Sequence, residues 1–148
     1  MTPGPHHILL IEDNIDHAEL TRLSFKECRY DTILHHLTNG EDALDYLLRQ
    51  NQYSDPASSP RPKIILLDLR LPKIDGLELL EKIKKDKKLC TIPVIILSTS
   101  NADADMLKSY ESLANSYIAK PIDFKDFLAM AETICSFWLQ WNITPDID

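Results

Sequence analysis

Acidic, hydroxyl and lysine side chains follow the apolar runs of this 148-residue sequence, at the points where the runs end. In chain order they belong to Glu12, Asp13, Asp68, Ser98, Thr99, Ser100 and Lys120. Carboxylates that converge in a small cleft repel one another, and burial disfavours their charged forms. A lysine and a hard divalent cation with oxygen ligands, Mg²⁺ or Mn²⁺, would offset that repulsion. A phosphoryl group on one carboxylate would be held by the cation, the lysine and a hydroxyl donor.

Most of these residues, taken singly, have an ordinary structural explanation. Glu12-Asp13 suits the acidic first turn of a helix, Ser98-Thr99-Ser100 suits a helix N-cap, and Lys120-Pro121 suits the end of a strand. Asp68 is different, because a carboxylate directly after four apolar residues needs a partner when it is buried. The joint occurrence of these groups, each at a predicted strand end, favours a single site.

Strand-like and helix-like segments alternate along the chain and must position these groups. Apolar runs predict strands at His6–Ile11, Thr32–Leu37, Lys63–Asp68, Ile92–Leu97 and Ser116–Ala119. Apolar spacing and cap residues predict helices at Asn14–Cys28, Asn39–Leu48, Leu77–Lys85, Ala102–Leu113 and Phe124–Trp141. Five strand–helix units predict an α/β fold, a parallel sheet covered by helices on both faces. Ligands of such sheets bind at the carboxyl ends of the strands.

The polar segment Arg49–Pro62 carries three prolines and predicts an exposed loop inserted in one domain. We expect that domain to span residues 1–148, with a core at about 6–139 and a C-terminal extension at about 140–148. The spacing of the three glycines excludes the glycine-rich nucleotide loops. The three widely spaced cysteines predict small buried hydrophobes in a reducing compartment.

The negative charge of the chain disfavours two classes of binding partner. A formal net charge of −7 makes nucleic acid and anionic membranes poor partners. No apolar run approaches the ~20 residues that span a bilayer, and the start of the chain has no visible secretory signal. We therefore expect a cytoplasmic protein.

The sequence resembles the receiver domain of two-component response regulators over nearly its whole length. The matching residues are Glu12-Asp13, Asp68, Leu71-Pro72, Asp75-Gly76, Ser98, Tyr117 and Lys120-Pro121. The resemblance implies a flavodoxin-like (βα)5 doubly wound sheet of five parallel strands in the order 2-1-3-4-5. It also implies a phosphoacceptor protein in a phosphorelay. Such a protein is not an enzyme, beyond catalysing its own phosphoryl acceptance and dephosphorylation.

The resemblance assigns roles at the acidic end of the site. Asp68 would accept a phosphoryl group from the phosphohistidine of a sensor histidine kinase. Asp13, Asp68 and the backbone carbonyl of Arg70 would ligate Mg²⁺ or Mn²⁺, and Glu12 would act through water.

The resemblance also assigns roles to the hydroxyl and lysine positions. Ser98 and Lys120 would hold the phosphoryl oxygens, and Ser98 with Tyr117 would form the conformational switch. The Lys120–Pro121 peptide bond would be cis.

Two features are similar to the small single-domain regulators of cyanobacterial and bacterial phytochromes: the Arg49–Pro62 loop and the Ser136–Leu139 ending. The similarity implies a light-regulated phytochrome kinase as the donor.

The last predicted helix carries apolar residues on two faces. The inner stripe is predicted to comprise Phe124, Phe127, Leu128, Ala131, Ile134 and Trp138. Met130, Phe137 and Trp141 are predicted to project elsewhere and to form a homodimer interface. A wider core stripe is the alternative.

Three other functions compete with this interpretation. An aspartate-nucleophile phosphohydrolase would need a second acid where Arg70 stands, and a substrate cap. A flavodoxin-like electron carrier would place FMN phosphate against Glu12-Asp13, which would repel it. A phosphate-independent docking module would be expected to lack an acid or the lysine, and none is missing.

Overall fold

A computed structural model of the chain describes residues 4–148. Its strands are β1 (His6–Ile11), β2 (Thr32–Leu37), β3 (Ile64–Leu67), β4 (Val94–Ser98) and β5 (Ser116–Ala119). Its α-helices are α1 (Ile15–Glu27), α2 (Gly40–Leu48), α3 (Gly76–Lys85), α4 (Asp103–Glu111) and α5 (Phe124–Ile134). All neighbouring strands pair in parallel, in the order β2-β1-β3-β4-β5. The predicted fold class and strand order are confirmed.

The central strands are buried on both faces, which explains their continuous apolar sequences. Every residue of β3 and β4 is buried. Side chains alternate along β1, so Leu9 and Ile11 enter one core layer while Ile8 and Leu10 enter the other. α2 and α3 cover the first layer, and α1 and α5 cover the second.

Side-chain caps start four of the five α-helices. Asn14, Asn39, Asp75 and Asp123 each accept a backbone N–H from the first turn of the helix that follows. Asn39, the first residue of the second predicted helix, is thereby its N-cap. Because Asn14 caps α1 immediately after β1, Glu12 and Asp13 lie in the short connection at the carboxyl edge of the sheet.

The bounds of β4 and α4 differ from those predicted. β4 begins at Val94, because Leu89–Thr91 forms a short 3₁₀ turn ahead of it. α4 ends at Glu111, because Leu113 adopts a left-handed backbone with φ of 73°.

The Arg49–Pro62 loop is more ordered than its composition predicts. It contains 3₁₀ turns at Asn51–Tyr53 and Pro56–Ser58, and Ser59 is buried within it. The buried Tyr46 hydroxyl donates a 2.6 Å hydrogen bond to the carbonyl of Pro60. The loop is therefore attached to α2 rather than extended into solvent.

The final helix changes its hydrogen-bonding pattern at Cys135. The chain is α-helical to Ile134 and continues as a π-helix over Cys135–Trp141. Phe137 and Trp141 are 49% and 73% exposed, as expected for surface residues. Met130 instead packs against the core, so the prediction that it projects outward is wrong. It lies one helical turn before the buried Ile134 and therefore on the same face.

Other parts of the chain also pack near the ends of the fold. Cys28 and Cys135 are both buried, with their Sγ atoms 3.8 Å apart. In the C-terminal extension, Ile147 packs against the core, and Arg61 Nε donates to the carbonyl oxygen of Asp148.

No helix within residues 4–148 has the length and apolar character needed to cross a membrane.

Candidate functional site

A buried cluster of opposite charges lies at the carboxyl ends of β1, β3 and β5. Lys120 Nζ lies 2.7 Å from Asp68 Oδ2 and also pairs with Glu12 Oε1. It lies 3.0 Å from Nδ1 of His17 on α1. The side chain of Lys120 is only 2% exposed. The three N–H groups of the ammonium therefore each have an acceptor, as burial of the charge requires.

Three carboxylates share the space beside this lysine. Glu12, Asp13 and Asp68 each offer an oxygen, and the three oxygens lie within 4.8 Å of one another. Glu12 and Asp68 are buried, whereas Asp13 is exposed at the rim. An all-oxygen donor set of this kind suits a hard divalent cation, and one open side suits an ion that keeps several waters. The residues present therefore fit Mg²⁺ or Mn²⁺.

The two buried carboxylates have different proton affinities. Burial, followed by the nearby Asp68, raises the pKa of Glu12 to about 7. Burial also acts to raise the pKa of Asp68, but hydrogen bonds with Glu12, Lys120 and the Arg70 backbone outweigh it and hold that pKa below its ordinary value. Asp68 is thus ionised near neutral pH and can act as a nucleophile. Burial and the Lys120 charge lower the pKa of His17, which favours the neutral imidazole.

Backbone groups fix the position of the Asp68 carboxylate. Asp68 N donates to the carbonyl of Ile11, and Arg70 N donates to Asp68 Oδ1, each at 3.0 Å. Gly76 at the start of α3 packs directly against this loop. A Cβ atom at position 76 would lie 2.5 Å from both the Asp68 carbonyl oxygen and Leu69 Cα. The Asp75-Gly76 pair therefore lets α3 begin close behind the acceptor loop.

Ser98 is buried at the end of β4. Its Oγ accepts a 3.2 Å hydrogen bond from Ser100 N, and its carbonyl accepts one of 2.8 Å from Lys120 N. Tyr117 on β5 is half-buried, and its hydroxyl donates a 2.7 Å hydrogen bond to the Ser100 carbonyl. Ser98 and Tyr117 therefore contact the same loop and are linked through Ser100. Thr99 lines a cavity beside His17 and Lys120.

A model of the response regulator receiver domain matches residues 8–132 of the chain. The chain belongs to this family. The predicted family is confirmed, and the strand order is the one that the resemblance implied. The receiver domain's acid pair, its single acid after β3, its hydroxyl and its lysine are the groups that the structure brings to the carboxyl edge of the sheet.

Two related regulators match this chain over nearly its whole length. The receiver domain is 40% identical over 141 residues to the probable methanogenesis regulatory protein FilR2 of Methanothrix harundinacea, covering 95% of this chain and 88% of FilR2. It is 41% identical over 141 residues to the response regulator Rcp1 of Synechocystis sp., covering 95% of this chain and 94% of Rcp1.

Two solved structures resemble this receiver domain closely. The crystal structure of the Mn²⁺-bound form of Rcp1 has a TM-score of 0.86 at 40% identity, covering 96% of this chain and 100% of that one. The phosphorylated cyanobacterial phytochrome response regulator RcpA has a TM-score of 0.88 at 34% identity, covering 97% of this chain and 100% of that one. The predicted similarity to phytochrome response regulators is confirmed.

One feature implied by the family is absent. No peptide bond in residues 4–148 is cis, so the prediction of a cis bond between Lys120 and Pro121 is wrong. The trans form of a bond to proline is favoured by about 0.5–1 kcal/mol unless surrounding contacts select the other isomer.

Sequence reasoning missed two residues of the site. His17 reaches Lys120 from the first turn of α1, 103 residues away in sequence, and no spacing in the sequence indicates this contact. Asp105 in the first turn of α4 lies 2.9 Å from Arg70 Nη2 and accepts a hydrogen bond from Ser100 Oγ. No spacing in the sequence links Arg70 to Asp105, because Arg70 lies on the loop after β3 and Asp105 lies in the first turn of α4.

Proposed function

We propose that Asp68 accepts a phosphoryl group from the phosphohistidine of a sensor histidine kinase. The observation that carries this proposal is the environment of the Asp68 carboxylate, which is buried, ionised and bonded to Lys120 and to Arg70 N. This environment presents an anionic nucleophile next to a cation. Membership in the receiver family supports the assignment.

In the transfer step an Asp68 oxygen attacks phosphorus and the phosphorus–nitrogen bond of the phosphohistidine breaks. The electron pair of that bond goes to the imidazole nitrogen, which takes up a proton. The Lys120 ammonium neutralises the oxygens of the transferred group. A divalent cation held by Asp13, Asp68 and the Arg70 carbonyl, with Glu12 acting through water, would neutralise further charge there.

Ser98 is suited to hold a third phosphoryl oxygen. In the described part of the chain its hydroxyl accepts a hydrogen bond from Ser100 N and donates none, so its proton is available. Movement of Ser98 toward the phosphoryl group would stretch that bond. The Ser100 carbonyl, which holds the Tyr117 hydroxyl, would move with it. Ser98 and Tyr117 are therefore proposed as the switch that reports phosphorylation.

A phytochrome-type kinase is the proposed donor. The support is the similarity to RcpA, a cyanobacterial phytochrome response regulator solved in its phosphorylated form. We place the exchange in the cytoplasm, where the three free cysteines would stay reduced. Transfer from a phytochrome kinase would be compared under red and far-red light, and equal transfer from unrelated kinases would contradict the choice of donor.

The acceptor assignment is tested by intact mass after exposure to acetyl phosphate and Mg²⁺. Wild type is expected to gain one phosphoryl group and Asp68→Asn none. Asp31→Asn is the matched control, since Asp31 is exposed at the opposite edge of the sheet, where its carbonyl binds His6 N. A phosphoryl gain by the Asp68 variant would contradict the proposal.

We also propose that two copies associate through the exposed end of the last helix. The support is that Phe137 and Trp141 expose apolar area on one short segment. Met130 is not included because it is half-buried and packs against the core. Sedimentation equilibrium with and without phosphorylation should show a dimer that Phe137→Ser with Trp141→Ser weakens. A wild-type monomer at micromolar concentration in both states would contradict this interface.

A further inference from the structure

A chain of polar contacts runs from Arg70 to Ser100 through Asp105 and is not used in the proposed transfer. Arg70 Nη2 lies 2.9 Å from Asp105 Oδ2, and Ser100 Oγ donates a 2.5 Å hydrogen bond to the same oxygen. Asp105 is only 18% exposed, whereas Arg70 is 70% exposed. Asp105 therefore connects the loop after β3 to the start of α4.

Residues of this connection also make hydrogen bonds at the start of α4. Its N-cap residue, Ala102, has no side chain that can cap the helix. Ala102 N binds Ser100 Oγ at 3.3 Å instead, and Ser100 Oγ in turn binds Asp105. The first turn of α4 is thus closed by Ser100 and Asp105, and the Arg70 guanidinium attaches that turn to the acceptor loop.

Arg70 lies close to the phosphoryl acceptor. It is two residues after Asp68, and its backbone N–H binds Asp68 Oδ1 at 3.0 Å. A phosphoryl group on Asp68 would bring a charge of about −2 and three acceptor oxygens beside this residue. Guanidinium binds phosphate through paired hydrogen bonds, whereas Asp105 offers it one oxygen that Ser100 already uses.

We propose that Asp105 is a positioning residue that holds the Arg70 guanidinium away from Asp68, in competition with the phosphoryl group. The inference rests on the proposed function of Asp68. When the guanidinium moves to the phosphoryl oxygens, the start of α4 loses its tie to the acceptor loop. Asp105 thereby links the charge at Asp68 to the position of α4.

This competition sets the lifetime of the phosphorylated state. In hydrolysis, water attacks phosphorus and the bond between phosphorus and the Asp68 oxygen breaks. The products are the Asp68 carboxylate, inorganic phosphate and one proton. A guanidinium bound across the phosphoryl oxygens obstructs the approach of water. Asp105 draws the guanidinium away and therefore shortens the lifetime.

The test measures hydrolysis of phosphorylated protein after acetyl phosphate has been removed, in Mg²⁺ buffer. Asp105→Asn keeps an oxygen for Ser100 but removes the charge, and it should slow hydrolysis about two- to fivefold, as expected for an exposed ion pair. Arg70→Ala should hydrolyse faster than wild type. In the Arg70→Ala background, Asp105→Asn should have no effect.

A spectroscopic readout separates this role from a structural one. The NMR resonance of the Arg70 side-chain N–H should shift on phosphorylation of wild type, and in unphosphorylated Asp105→Asn it should already differ from the wild-type position. An unmoved resonance in both comparisons would overturn the inference.

The remaining outcomes are also decisive. Equal slowing by Asp105→Asn in both backgrounds would show that Asp105 acts through Ser100 alone, and would overturn the inference. Unchanged or faster hydrolysis in Asp105→Asn would overturn it too. Slower hydrolysis in the single variant Arg70→Ala would also overturn it. Wild type that takes up no phosphoryl group would overturn the proposed function and this inference together.

Discussion

Glu12 should make divalent-cation binding depend on pH around neutrality. Its pKa is raised to about 7 in the metal-free protein, chiefly by burial. A cation-bound water donates hydrogen bonds to the ionised Glu12 carboxylate, so a protonated Glu12 should lose its proton when the cation binds. With this pKa, about one tenth of Glu12 is ionised at pH 6 and about nine tenths at pH 8. The apparent affinity should therefore rise about tenfold between pH 6 and pH 8, equivalent to about 1.4 kcal/mol.

The assay is titration with Mn²⁺, with free Mn²⁺ followed by electron paramagnetic resonance. Calorimetry at pH 7 in buffers of different ionisation enthalpy should show release of about half a proton per ion. Glu12→Gln cannot ionise, so its affinity should be the same at pH 6 and pH 8. Asp31→Asn, at the opposite edge of the sheet, should retain the wild-type pH dependence. Equal wild-type affinity at the two pH values would refute the assignment of the raised pKa to Glu12.

Three further perturbations test the contacts around the site and the loop. Gly76→Ala should lower the free energy of unfolding, measured in urea, by about 1–3 kcal/mol, because its Cβ would meet the Asp68 loop. Gly4→Ala, at a position with open space around it, is the control. Equal effects of the two substitutions would contradict the close approach of Gly76 to the loop. Lys120→Gln should lower the free energy of unfolding of the metal-free protein by about 3–5 kcal/mol, because it leaves buried carboxylates without their cation. Lys125→Gln, at an exposed lysine, should change it little. A Lys120 variant as stable as wild type would argue against the buried pair. Tyr46→Phe should lower the free energy of unfolding by about 1 kcal/mol and speed proteolysis within residues 49–62, because it removes the hydrogen bond to Pro60. Tyr110→Phe, at a half-exposed tyrosine, is the control. Equal rates of proteolysis in the two variants would indicate that this bond does not hold the loop.

The sheet and the residues at its edge could be predicted because both follow from short-range patterns. The apolar runs Ile64–Leu67 and Val94–Leu97 have no polar residue that would suit a solvent-facing strand, and both strands are fully buried. Once the strands are parallel, their carboxyl ends must share an edge. Asp68 and Lys120 therefore meet although 52 residues separate them in sequence.

The missed features depend on side-chain reach or on small changes of backbone geometry. Arg70 meets Asp105 only because the loop after β3 approaches the first turn of α4, and neither residue type predicts its partner. The π-helix at Cys135–Trp141 changes which residues share a face, and an α-helical spacing cannot foresee it. The error at Met130 has a simpler reason. Ile134, one helical turn later, is predicted to face the sheet, and Met130 lies on the same face.

The central claim is that Asp68 carries the phosphoryl group, and chemical trapping tests it most directly. Borohydride reduces an aspartyl phosphate to homoserine, so protein treated with acetyl phosphate and Mg²⁺ would be reduced, digested and sequenced by mass spectrometry. The account predicts homoserine at position 68 and unmodified residues at positions 12 and 13. Homoserine at another acidic position, with Asp68 intact, would contradict it.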